Sequence, residues 1–89
     1  RCVELGLANR VVPAESLMEE TLKWAQVLAK RAPLSLAATK KAMRHATIHD
    51  WSSTFDVEVS LQKVLRESAD SEEGVRAFLE KRKANFVGR

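Results

Sequence analysis

The stretch Ser68-Ala69-Asp70-Ser71-Glu72-Glu73-Gly74-Val75-Arg76-Ala77-Phe78-Leu79-Glu80-Lys81-Arg82 constrains the fold of this chain more than any other. Asp70 stands three residues before Glu73, the spacing of a capping box. In that arrangement the Asp70 carboxylate accepts the Glu73 backbone N–H, and the Glu73 side chain reaches back to the Asp70 N–H. Asp70, Glu72 and Glu73 place negative charge at the positive end of the helix dipole. Lys81, Arg82 and Lys83 place positive charge at the other end. Together these signals predict a helix of about three turns.

Helical periodicity puts Val75 and Leu79 on one stripe, expected to anchor this helix to a core. Phe78 and Lys81 share a neighbouring face, roughly 60° apart around the axis. Two readings of that face stand. An aromatic ring beside an ammonium can stack a flat ring while pairing with an anion. Alternatively, Phe78 is core and Lys81 only complements the helix dipole.

With 89 residues the chain is large enough for one domain. A chain of this size buries only about 60–65% of the surface it exposes when unfolded, so its own stability is marginal. Three Gly and two Pro favour long helices over a turn-rich β fold. The net charge of +3 is mild, and Lys and Arg are interleaved with twelve acids. A nucleic-acid module concentrates positive charge on one face, so dispersed charge argues against that class. Cys2 is the only cysteine, which excludes an internal disulfide and points to a reducing compartment. No apolar run approaches the ~20 residues that span a bilayer. Because the chain opens on Arg1 rather than Met, it is expected to be a piece of a longer protein.

The remaining segments read as a series of helices after a short lead. Arg1–Leu5 is expected to be a last helical turn, with Gly6 in the left-handed position beyond it. Leu7–Val12 reads as a short strand stopped by Pro13, with no partner strand elsewhere in the chain. Glu15–Lys30 is the clearest helix. Glu19, Glu20, Lys23, Gln26 and Lys30 form a polar sector about 120° wide, and Leu17, Met18, Leu22, Trp24, Val27 and Leu28 fill the rest. So broad an apolar surface needs cover from more than one side. Pro33 opens the next helix, which runs to about Thr47. It carries a small-residue stripe of Ser35, Ala38, Thr39, Ala42 and Ala46, with Lys40, Lys41 and Arg44 on a solvated side. Asp50 is the expected N-cap of a helix from Trp51 to Glu67. Val57, Leu61 and Val64 share one of its faces, while Phe55 and Val59 lie nearly opposite. Two apolar faces suggest contact with its own fold and with a partner subunit. Residues 84–89 form an irregular tail.

Chemistry-bearing residues are few. His45 and His49 have i, i+4 spacing, but a third metal ligand and an adjacent catalytic Glu are missing. Nothing local activates Cys2 as a thiolate. Ser68 and Ser71 suit turn and cap roles. The acids lie in first helical turns or on polar faces, where solvation rather than acid–base work is expected. Taken alone, the residues assign no catalytic site and no metal site.

Three motifs nevertheless resemble those of the enoyl-CoA hydratase/isomerase (crotonase) family. Gly6-Leu7-Ala8-Asn9-Arg10-Val11-Val12-Pro13 is similar to its "GLVN-x-VVP" segment. Ala32-Pro33 followed by Lys40 or Lys41 is similar to its "P-x-A-x-x-x-x-K" helix. Ser68, Asp70, Glu73-Gly74, Ala77-Phe78, Glu80-Lys81-Arg82, Phe86 and Gly88 match its C-terminal "S-x-D-x-x-EG-x-x-AF-x-EKR-x-x-x-F-x-G" signature. The departures are Ala8 for the usual Val, and Ala84-Asn85 where many members carry a Pro.

The resemblance covers the whole chain and implies roughly the last third of a family member. The implied fold class is mainly α: the helical oligomerisation region of a ββα-spiral fold, with one short strand belonging to the core. Residues 1–13 would close that core and residues 14–89 would form the trimerisation region. The resemblance further implies an acyl-CoA substrate and hydration of a 2-enoyl thioester. It implies a homo-oligomer (a trimer or a dimer of trimers), with no nucleic-acid or membrane partner and no cofactor beyond the CoA of the substrate. The compartment would be the bacterial cytoplasm or the mitochondrial matrix. The oxyanion-hole amides and paired Glu residues of the family lie upstream of Arg1, so no catalytic residue carries over. Phe78 and Lys81 do carry over, as residues that reach a neighbouring subunit's CoA at its adenine and phosphate end. The rival reading is a non-catalytic helical interaction module.

Overall fold

Four α-helices follow a short lead in the computed structural model, which describes all 89 residues. A 3-10 turn at Ala14–Ser16 runs into α1 (Leu17–Ala29), followed by α2 (Pro33–Ala46), α3 (Trp51–Arg66) and α4 (Ala69–Leu79). The expected mainly helical class is therefore observed.

The expected strand at Leu7–Val12 is not formed. A strand is defined by its ladder to a neighbour, and this chain supplies none. Instead, the Arg10 guanidinium lies 4.6 Å from the centroid of the Trp24 ring on α1, a cation–π contact. Before it, residues 2–6 form turns that end at Gly6, whose φ is +73°. The Leu7 N–H donates to the Cys2 carbonyl at 2.9 Å, and the Gly6 N–H to the Val3 carbonyl at 3.0 Å. That pair of bonds is a Schellman helix end, so the helix-termination reading of Arg1–Gly6 holds.

α2 and α3 form the packed centre of the molecule. Pro33 opens α2 at its first turn, where a missing N–H costs nothing. The Asp50 carboxylate caps α3 by accepting the Ser53 N–H at 2.8 Å. Half-buried Leu34, Ala38, Ala42 and His45 line α2, and half-buried Val57, Leu61 and Leu65 line α3. At one end His45 Nδ1 lies 3.2 Å from the Thr54 hydroxyl. At the other, Ser35 shares a cleft with Gln62 and Leu65, so the two helices run antiparallel. Leu65 takes the inward place expected for Val64, which is 68% exposed. Phe55 and Val59 on the second apolar face are also exposed.

Only Ala77 and Asp70 are buried outright, both on α4. The expected anchor stripe is thus reversed: Val75 and Leu79 are exposed, while Asp70, Gly74 and Ala77 face inward. The cause is what α4 packs against. Its inner face meets the returning main chain of residues 84–89, which leaves room for small or hydrogen-bonding side chains only. The Phe86 ring lies over Gly74, 3.6 Å from where a Cβ would stand. Gly88, at φ +79°, sits against the Pro33 ring at the start of α2. The tail therefore ties α4 to α2.

α1 has no buried residue. The whole chain presents 7894 Å² of surface, whereas a compact monomer of this mass presents about 5,200 Å². Its radius of gyration is 16.7 Å, against about 12 Å for a compact domain of this length. Leu17, Met18, Leu22, Val27 and Leu28 on α1 contribute much of the uncovered apolar area. No helix is long and apolar enough to cross a membrane.

Candidate functional site

The two residues singled out from sequence lie at the C-terminal end of α4, and the local structure there begins at Ser68. Its hydroxyl accepts the Ser71 N–H at 3.1 Å and donates to the Leu65 carbonyl at 2.6 Å. One side chain thus caps α4 and satisfies an end carbonyl of α3. Ser68, not Asp70, is the N-cap. The capping box expected between Asp70 and Glu73 does not form, because both carboxylates bind the tail. Asp70 Oδ1 accepts the Val87 N–H at 2.7 Å and Oδ2 accepts the Gly88 N–H at 2.9 Å. The Asp70 N–H itself donates to the Arg89 carbonyl at 3.1 Å.

Glu73 forms the second clasp. Its carboxylate takes Arg82 in a two-pronged pair, with Nη1 at 2.6 Å and Nη2 at 2.9 Å, and also accepts the Asn85 N–H at 2.8 Å. The Arg82 guanidinium, followed by the Asn85 amide, holds the Glu73 carboxyl down at about 2. The same pairing, joined by Glu80, pushes the Arg82 guanidinium up.

Between these anchors the helix ends at Lys81, whose φ of +52° is the only left-handed value at a non-glycine residue. The Arg82 N–H donates to the Ala77 carbonyl at 3.0 Å and the Lys81 N–H to the Phe78 carbonyl at 3.2 Å. This is a second Schellman end, with Lys where Gly is usual. Phe78 is 82% exposed, which removes the reading of it as core within this chain. Glu80 and Glu73 are both engaged by Arg82, and no carboxylate of the chain pairs with the Lys81 ammonium. The site is a bare aromatic ring and an unpaired cation at one helix end, an arrangement able to stack on a planar group and attract an anion.

The remaining sequence candidates lie elsewhere. The His45 and His49 rings stack at 3.7 Å, only 9° from parallel. His49 Nδ1–H donates to the His45 carbonyl at 3.0 Å, so the pair stitches the α2–α3 corner rather than converging on an ion. Cys2 is exposed. An open cleft of 340 Å³ runs between α2, α3, α4 and the tail, lined by Ser35, Gln62, Arg66 and Phe86 among others. It contains neither Phe78 nor Lys81. The roles of Glu73 and Arg82 were missed from sequence, and no local signal marks a pair nine residues apart.

A sequence profile described as enoyl-CoA hydratase/isomerase matches residues 2–89. The chain belongs to the enoyl-CoA hydratase/isomerase family. Methylmalonyl-CoA decarboxylase of Escherichia coli K12 is 38% identical over 90 residues, covering 99% of this chain and 34% of that protein. 2,3-Dehydroadipyl-CoA hydratase of the same organism is 34% identical over 86 residues, covering 97% and 34%. Among solved structures, an enoyl-CoA hydratase subunit I from Geobacillus kaustophilus superposes with a TM-score of 0.92 at 41% identity, covering 99% of this chain and 34% of that one. The chain therefore spans about a third of the length of the family members it matches. A decarboxylase and a hydratase resemble it comparably.

Proposed function

We propose that this chain is the C-terminal oligomerisation segment of an enzyme acting on acyl-CoA thioesters, with hydration of a 2-enoyl-CoA as the reaction. Residues 14–89 form the helical trimerisation region, and residues 1–13 close the catalytic core. Phe78 and Lys81 contribute to the binding of CoA, Phe78 by stacking on the adenine and Lys81 by pairing with a phosphate of a neighbouring subunit's substrate. The chemistry of thioester activation belongs to the rest of the enzyme.

The observation that carries this reading is the end of α4. Phe78 is 82% exposed and Lys81 is held at φ +52°, so one helix end presents a ring and a cation together, a pairing suited to a planar group that carries an anion. The uncovered faces of α1 and α3 support assembly into a trimer or a dimer of trimers. That surface also favours the second reading, a helical interaction module without ligand contact. Lys81→Ala in the full-length enzyme separates the two. Under the CoA reading it raises KM for a CoA thioester and leaves KM for the matching pantetheine thioester unchanged. Equal effects on both substrates would leave only the interaction module.

A further inference from the structure

The left-handed turn at Lys81 has an identifiable restraint. A Schellman end with Gly at this position forms without help, but a lysine populates it only when its surroundings enforce it. Here the next residue is tied to α4 twice. The Arg82 backbone N–H is held by the Ala77 carbonyl at 3.0 Å, and its guanidinium by both oxygens of Glu73 at 2.6 and 2.9 Å. With both ends of Arg82 fixed to the helix, the chain reversal falls on Lys81. The same guanidinium also binds Glu80 through Nε, so the carboxylates of Glu73 and Glu80 are both taken. Neither can neutralise its ammonium.

We propose that Glu73 and Arg82 are positioning residues for Lys81: their two-pronged pair imposes its left-handed backbone and keeps its ammonium uncompensated for an anionic group of the ligand. This rests on the CoA-contact reading above and goes beyond it by assigning the clasp a role in binding. Asn85, whose N–H donates to the same Glu73 oxygen at 2.8 Å, anchors the clasp to the tail.

The test is a double-mutant cycle in the full-length enzyme, using Glu73→Gln, Lys81→Ala and their combination on a CoA thioester and its pantetheine counterpart. Gln keeps the shape but turns one oxygen into a donor facing a guanidinium that can only donate. Glu73→Gln is expected to raise KM for the CoA thioester about threefold to fivefold, the upper range for a solvent-screened charge contact. It should leave kcat and the pantetheine KM unchanged, and add nothing in the Lys81→Ala background. An effect that persists in that background, that falls on both substrates alike, or that is absent overturns the proposal. If Lys81→Ala itself has no CoA-selective effect, the CoA-contact reading fails. If it has one and Glu73→Gln acts additively, only the positioning role fails. Arg82→Lys, which keeps the charge but loses the fork, is the second variant should Glu73→Gln not assemble. Failure of both to assemble would mark the pair as a folding element and overturn the positioning role.

Discussion

The carboxylate of Asp70 accepts the main-chain N–H of Val87 at 2.7 Å, bonding across seventeen residues of sequence at a site only 3% exposed. With Gly88 on its other oxygen, Asp70 does for the tail what a neighbouring strand would do: it accepts two successive main-chain N–H groups. Asp70→Asn keeps one acceptor but sets an amide group against the second N–H. The expected cost is about 1.5–3 kcal/mol, the range for hydrogen bonds to a charged group. Amide exchange reads it directly: Val87 and Gly88 should lose protection while α2 and α3 keep theirs. Unchanged protection at both amides would disprove the clasp.

Lys81→Gly should separate stability from binding. Glycine relieves the left-handed backbone, worth about 1–2 kcal/mol, and loses part of that gain to its freer unfolded chain. The net expectation for the full-length enzyme is a stability equal to or up to about 1 kcal/mol above the parent, with a raised KM for the CoA thioester. A denaturant midpoint and a KM measured on one preparation check both halves. A clear loss of stability would mean that the lysine side chain itself supports the fold.

The Glu73 clasp has a defined acid limit. Its carboxyl is lowered from the ordinary 4.5 to about 2 in the folded state. A depressed carboxyl contributes its full stabilisation above the unfolded value and loses it as pH falls toward the folded one. The clasp should therefore be intact at neutral pH, weaken progressively below pH 4.5 and be gone near pH 2. Carboxyl-carbon NMR of Glu73 should show a midpoint well below the ordinary 4.5. A midpoint at the ordinary value would exclude the pair with Arg82 in solution.

What could be read ahead of the structure follows from how far each residue's partner lies. Asp50 meets Ser53, and Pro33 needs only its own backbone, so both helix starts were legible from local spacing. Gly6 likewise bonds within its own turn. Asp70 and Glu73 have the spacing of a local cap, yet their partners are Arg82, Asn85, Val87 and Gly88 on the returning tail. Ser68 stands three residues before Ser71 and was the cap instead, and nothing in the local pattern ranks it above Asp70. Leu7–Val12, read as a short strand stopped by Pro13, forms none here for a related reason: an extended segment becomes a strand only beside a neighbour. Helical periodicity marked Phe78 and Lys81 as a shared face, and the family resemblance added the CoA contact. Their exposure and backbone strain became visible only once the helix end was in place.

The hydroxyl of Ser68 joins α3 to α4 through a single oxygen, giving to Leu65 and receiving from Ser71. A change in the angle between the two helices therefore works against both bonds at once. α4 is an 11-residue rod fixed at this end, and at 1.5 Å per residue its far end stands about 16 Å away. A tilt of roughly 5° at the elbow would carry Phe78 through about 1.4 Å. Misplacements of about 1 Å are enough to spoil a bound geometry. Where the ring at the far end of α4 stands is therefore set in part by one hydroxyl about 16 Å away.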